Sequence, residues 1–210
     1  MDRAHGLARH LAARGVQIVS GGALGVDGAA HRGALAGHGA TTVVLGSGLD
    51  VLYPVRHAPL FGEVLARGGT LAGMLRDGTA PRAGSFPQRN KLIAALADVV
   101  IVVEADVRSG SLSTAAAGRR FDRIVAAWPG SRGCERLLAA GAAIIECEAD
   151  AELALAGTPR HRAPSAIDPI AKQVQDAVTN GAVGIDEIVR HTGLTVRVVL
   201  RALPMIERMQ

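Results

Sequence analysis

The residues best suited to chemistry in this chain stand in a glycine-rich turn, Ser20-Gly21-Gly22-Ala23-Leu24-Gly25. It directly follows the apolar run Val16-Gln17-Ile18-Val19 and precedes Val26-Asp27-Gly28-Ala29-Ala30-His31. Glycines at a strand-to-helix junction let backbone N–H groups approach an anion, and the helix beyond points its positive end at it, so the chemistry offered is phosphate binding. Such turns also serve packing alone. Two more turns of the same kind follow apolar runs, Leu45-Gly46-Ser47-Gly48-Leu49-Asp50 and Ser109-Gly110-Ser111-Leu112-Ser113-Thr114. In an open α/β sheet all three gather at the carboxyl edge of the strands, where ligands bind, and their number favours phosphate over packing. Between them, Phe86-Pro87-Gln88-Arg89-Asn90-Lys91 sets Arg89 and Lys91 at the mouth of an apolar helix. Cations there oppose the helix dipole, a cost that suits holding an anion. Arg56, Arg76, Arg82, Arg108 and Arg132 fall in predicted loops near that edge and would extend a basic groove, although each taken singly reads as a solvated loop residue.

Asp27 and His31 stand four apart and share one helical face, which permits an ion pair, a catalytic dyad or two metal ligands. With no third ligand or activated nucleophile at fixed spacing, the structural reading is preferred. The phosphate-loop pattern ending in Gly-Lys-Ser/Thr does not occur, so the sequence offers no case for ATP hydrolysis.

These residues need a scaffold, and the periodicity supplies one. Strands are predicted at 16–19, 41–45, 99–103, 124–127 and 143–146, with a weaker one at 70–74. Helices are predicted up to Gly15 through Leu7 and Leu11, and at 26–35, 59–67, 89–97, 113–120 and 135–140. Strand, loop, helix, strand is the pattern of a parallel sheet covered on both faces, so the fold class is α/β with a Rossmann-like three-layer core over 1–150. The Pro- and Arg-containing stretch from Gly157 to Ser165 reads as part of a linker, 151–167. Beyond it, 168–210 carries three short amphipathic helices with turns at Asn180-Gly181 and Thr192-Gly193, the spacing of a helix-turn-helix. A helix-disfavouring Pro204 and little further chain leave small room for a β-wing.

Composition narrows the function classes. The 210 residues carry 23 Lys+Arg against 19 Asp+Glu, a formal charge of +4, and Lys91 and Lys172 are the only lysines. Arginine's planar fork suits phosphate, so a polyanionic partner is allowed. Aromatic residues make up only 2% and are scattered at Tyr53, Phe61, Phe86, Phe121 and Trp128, too few for a sheet-wide base-stacking platform. Phosphate contacts must lead if nucleic acid binds. No apolar run approaches the roughly 18 residues of a membrane helix, and the start lacks the apolar stretch of a secretion signal, so a cytoplasmic location is expected. Cys134 and Cys147 are read as reduced side chains.

Taken in order, the motifs resemble the DprA/Smf family of DNA-processing proteins. The likeness runs from Val19-Ser20-Gly21-Gly22-Ala23 through Gly46-Ser47-Gly48-Leu49-Asp50 with Tyr53-Pro54, then Phe86-Pro87-Gln88-Arg89-Asn90-Lys91 and Val102-Val103-Glu104-Ala105. It continues through Ser109-Gly110-Ser111-Leu112, Trp128-Pro129-Gly130 and Leu137-Leu138, and the tail after Asp168 is similar to the family's winged-helix-like module. Leu24 stands where arginine is usual, and the family's usual opening strand and complete wing are lacking. The resemblance implies a single-stranded DNA-binding protein that protects incoming DNA and helps load the recombinase RecA during natural transformation. It implies no cofactor and no chemical turnover, and a homodimer formed through the core. Carried to matching positions, the DNA-contacting candidates are Ser20, Gly21, Gly22, Arg89, Asn90, Lys91, Ser109, Gly110, Ser111 and Thr114. The competing readings are a Rossmann-like protein for a nucleotide or sugar phosphate, and a diverged scaffold that has lost DNA binding.

Overall fold

The computed structural model describes residues 1–162 and 169–206, and the chain divides into two compact units, Met1–His161 and Arg162–Gln210. In the first unit six parallel strands alternate with helices. The strands are β1 (Ile18–Gly21), β2 (Thr41–Leu45), β3 (Thr70–Gly73), β4 (Val99–Val102), β5 (Ile124–Ala127) and β6 (Ala143–Ile144). The helices are α1 (Asp2–Ala12), α2 (Val26–Ala36), α3 (Ala58–Ala66), α4 (Ser85–Leu96), α5 (Ser111–Arg120), α6 (Arg132–Ala139) and α7 (Glu148–Leu155). β2 is buried at every position, as the β-branched run Thr-Thr-Val-Val dictates for a strand covered on both faces.

The sheet is not continuous. It is built as two three-stranded halves, β1-β2-β3 and β4-β5-β6, where one sheet was expected. Register runs Ile18 opposite Thr41 and Val44 opposite Ala72 in the first half, and Val99 opposite Ile124 and Ala126 opposite Ala143 in the second. Helices hold the halves together from both faces. On one face Leu7 and Leu11 of α1 share a core cluster with Ile18, Val99, Ile101 and Ala126. On the other, α4 sends Ala94 into the cluster of Val100, Val102 and Ala115, while its Arg89 reaches the carbonyl of Val44 in β2. A third cluster, Leu35, Val43, Leu45, Leu60, Phe61 and Val64, packs α2 and α3 on the first half.

The start of α4 differs from the sequence reading. α4 begins at Ser85, not Arg89, because Pro87 falls in the first turn, where a missing N–H costs nothing. Arg89 and Lys91 therefore stand one turn inside the helix and not at its mouth. α1 and α2 cross backbone to backbone: a β-carbon at Gly33 would strike the His5 carbonyl, and one at Gly37 the Arg9 carbonyl.

The second unit holds α8 (Pro169–Thr179), α9 (Ile185–Thr192) and α10 (Val196–Ile206) around Val174, Ala177, Ile188, Val199 and Ala202. Gly193, at φ +69°, makes the left-handed turn that ends α9. α10 runs on past Pro204, and no strand occurs among the described residues of this unit. Residues 163–168 of the predicted linker, and 207–210, lie outside the described residues.

Candidate nucleic-acid interface

Parallel strands deliver their following loops to one edge, and there the first unit opens a cavity of about 950 Å³. Seven of the ten predicted contact residues line it: Ser20, Arg89, Asn90, Ser109, Gly110, Ser111 and Thr114. Gly21 and Gly22 lie buried behind the wall, and Lys91 is exposed outside the lining.

The first turn is held by the helix it feeds. Asp27, in the first turn of α2, accepts from the Ser20 hydroxyl at 2.9 Å and from the Ala23 N–H at 3.2 Å. Two buried imidazoles meet the backbone from behind, His31 Nε2 at 2.8 Å from the Gly21 carbonyl and His57 Nδ1 at 2.9 Å from the Gly22 carbonyl. His31 Nδ1 lies 2.7 Å from the Thr41 hydroxyl. Burial pulls the His31 pKa down more than the Gly21 carbonyl and Asp27 raise it. The imidazole is thus a neutral strut, and the structural reading of Asp27 and His31 describes this geometry. The glycines are explained by close approach: a β-carbon at Gly21 would collide with the Arg89 guanidinium, and one at Gly22 with the Phe61 ring.

Arg89 is turned inward. Its Nη1 donates to the Val44 carbonyl at 3.1 Å and its Nε to Asn90 Oδ1 at 3.0 Å, while the guanidinium sits 6.0 Å from the Phe86 ring centre. Burial lowers its pKa and Asp27 opposes that shift. Asn90 carries the link onward, its Nδ2 donating to the Gly110 carbonyl at 3.1 Å and to Ser113 Oγ at 2.7 Å. Arg89 and Asn90 together tie β2, α4 and the start of α5 into one wall. At that start the Ser109 and Ser111 hydroxyls lie 3.2 Å apart, beside the positive end of α5.

The second glycine turn does not join the site. Gly46, Ser47 and Gly48 are buried; Ser85 Oγ donates to the Gly46 carbonyl at 2.6 Å, and the Gly48 N–H donates to Thr79. That turn serves packing. Ser85 and His57 were missed by sequence reasoning, since a lone Ser or His carries no spacing signal, and Ser113 stands in the third turn but not among its contact candidates. The cavity lining is also less basic than the loops suggested, with Asp27, Glu104 and Asp106 against Arg89. Tyr53 and Phe86 come within 6.2 Å of each other, centre to centre, one small stacking surface near this edge.

This arrangement can hold an anion at the α5 end and an extended polymer along the edge, and comparison with known proteins decides the family. The model of the DNA recombination-mediator protein A family matches residues 1–155, and that of the DprA winged helix domain matches residues 158–207. The chain belongs to the DNA recombination-mediator protein A family. Among the family's members, the putative DNA processing protein DprA of Mycobacterium tuberculosis is 40% identical over 217 residues, covering 96% of this chain and 55% of that protein. Protein Smf of Escherichia coli is 46% identical over 123 residues, covering 59% and 33% respectively. The X-ray structure of DprA from Streptococcus pneumoniae superposes with a TM-score of 0.66 at 35% identity, covering 72% of this chain and 55% of the other. A Helicobacter pylori DprA structure, described by its single-stranded DNA binding mode, gives 0.58 at 30% identity, covering 85% and 74%. The chain spans about half the length of the Mycobacterium relative. Among the described residues no helix is long and apolar enough to cross a membrane.

Proposed function

We propose that this protein binds single-stranded DNA along the carboxyl edge of its first unit and, in the cytoplasm, protects incoming DNA and helps load the recombinase RecA during natural transformation. It acts by binding, without chemical turnover, and pairs as a homodimer through the Rossmann-like core. The observation that carries the reading is the wall in which Arg89 and Asn90 bring the first turn, α4 and the start of α5 onto one cavity. The Helicobacter relative's single-stranded DNA binding supports the ligand class.

Within that reading the ten candidates divide. Ser109, Ser111 and Thr114 offer a phosphate their hydroxyls and Gly110 its N–H at the start of α5, and exposed Lys91 neutralises a neighbouring phosphate. Arg89 and Asn90 mainly shape the wall; Arg89 Nη2, with no partner among the described residues, is free to donate. Ser20, Gly21 and Gly22 form the opposite lip. Asp27, Glu104 and Asp106, which also line the cavity, repel phosphate and limit where along the lining the backbone can lie.

The test is fluorescence anisotropy of a labelled single-stranded oligonucleotide across a salt series. Affinity should fall steeply as salt rises; Lys91→Ala should weaken binding and reduce the logarithmic slope by about one. An Arg89→Ala, Lys91→Ala double variant should abolish binding. No binding by the wild type at low salt would sink the reading.

A further inference from the structure

The second glycine turn stays out of the cavity, but it seats a loop. Residues 74–84 run from the end of β3 to the start of α4, and their middle lies across that turn. The fit is close: a β-carbon at Gly48 would strike the Arg76 carbonyl and the Asp77 Cα. The Gly48 N–H donates to the Thr79 carbonyl at 2.9 Å, and the Gly78 N–H donates to both carboxylate oxygens of Asp50, at 2.7 and 2.9 Å. Gly78 turns at φ +75°, a conformation that costs a glycine little. The far end of the loop is tied to α4, with the Arg82 N–H donating to Ser85 Oγ at 3.2 Å and the Ser85 N–H donating to the Arg82 carbonyl at 2.9 Å. Surface loops ordinarily keep more freedom than this. The fixed backbone carries two exposed arginines, Arg76 and Arg82, and neither guanidinium has a hydrogen bond or ion pair among the described residues. Asp77 is the one acid within the loop, and the Asp50 carboxylate beneath it is occupied by Gly78.

We propose, resting on the single-stranded DNA reading, that residues 74–84 form a second contact arm outside the cavity. Arg76 and Arg82 are its phosphate contacts, and Asp50 is the residue that positions them. The arm begins at the carboxyl end of the edge strand β3 and ends at α4, whose Phe86 and Arg89 line the cavity. A polymer leaving the cavity past Phe86 therefore meets the arm on the same edge of the sheet. Holding the loop before the ligand arrives removes an ordering cost from binding, and the two free guanidinium forks then pair with phosphates. Asp50 acts here against simple electrostatics. An acid beside a polyanion repels it, yet this one strengthens binding through the backbone it holds.

The experiment measures fluorescence anisotropy of labelled oligothymidylates of about 6 and about 20 nucleotides with the full chain, at several salt concentrations. An Arg76→Ala, Arg82→Ala variant should bind the longer strand about tenfold more weakly and lower the logarithmic salt slope by about one for each arginine. The shorter strand, held by the cavity alone, should bind this variant as it binds the wild type. Asp50→Ala removes a negative charge and should nonetheless weaken the longer strand about threefold, the entropy of ordering a loosened loop. Asp50→Asn keeps an acceptor for the Gly78 N–H and should restore most of that affinity. In the double-arginine background Asp50→Ala should weaken nothing further, which separates positioning from a general loss of fold. Wild-type affinity of the double-arginine variant for the longer strand overturns the arm and leaves the DNA reading standing. Equal losses on both strand lengths overturn it too, since the effect then belongs to the cavity or the fold. Asp50→Ala at or above wild-type affinity, or a weakening that persists without the arginines, overturns the role of Asp50. Failure of the wild type to bind either strand removes the DNA reading and the arm together.

Discussion

The guanidinium of Arg89 passes so close over Gly21 that no β-carbon fits between them. A helix side chain and a strand-end backbone therefore share one space, and neither can change without the other.

Gly21→Ala should force Arg89 off the Val44 carbonyl. The expected cost is about 1–3 kcal/mol of stability from overpacking, read by urea denaturation. DNA affinity should fall with it, although the substitution removes no charge. Full affinity in a destabilised Gly21→Ala chain would show that Arg89's position is unrelated to binding.

Asn90→Ala removes the donor shared by the Gly110 carbonyl and Ser113 Oγ. Stability should drop by about 0.5–1.5 kcal/mol, the net worth of hydrogen bonds whose partners, Gly110 and Ser113, are themselves exposed to water. Amide exchange at the start of α5 should speed up more than exchange in β5, because the lost bonds anchor that turn. Uniform acceleration would contradict this local role.

Stability should decline on mild acidification through His31. Its pKa is lowered by burial from the ordinary 6.5, so the folded state holds the imidazole neutral while the unfolded chain takes up a proton more readily. The stabilisation is full above 6.5 and is lost as pH falls from there through the folded value, at about 1.4 kcal/mol per pH unit. Urea melts at pH 7.5, 6.5 and 5.5 measure it. His31→Gln should flatten that limb, and an unchanged pH dependence in the variant would assign the acid sensitivity elsewhere.

At the far end of the unit, Asp150 accepts from the N–H groups of Glu146 and Cys147 and pairs with Arg160, which also meets Glu146 at 3.2 Å. Burial alone would raise the Asp150 carboxyl; these donors outweigh it and hold it below its ordinary 3.8. Its stabilisation is present above that value and lost as pH falls through the folded one. Asp150→Asn should cost about 1–3 kcal/mol at neutral pH and unsettle the start of α7, read by denaturation and by exchange over Glu148–Leu155.

Much of the scaffold was legible because its signals are local. The β-branched runs at Thr41–Leu45 and Val99–Val102 can only be strands covered on both faces, and the structure has both. The start of α4 was misjudged because Pro87 reads equally well as a loop stop or a first-turn residue; the burial of Ser85 against Gly46 decides between them. The three glycine turns look alike in sequence and differ in space. The first is shaped by Arg89 and Phe61, the second is closed by Ser85 and Thr79, and the third joins the cavity lining. Those partners lie tens of residues away, beyond what spacing can encode. The break between the two half-sheets is invisible for the same reason, since strand order is a long-range property.

The two imidazoles behind the first turn have a consequence for timing. Across a trans peptide the carbonyl of one residue and the N–H of the next point in opposite directions. By drawing the Gly21 carbonyl inward, His31 aims the Gly22 N–H the other way, and His57 does the same to the next peptide plane. A flexible glycine pair would otherwise sample many orientations and have to settle on one only when something binds. Here that entropy is lost once, during folding, so an arriving ligand meets a turn that is already set.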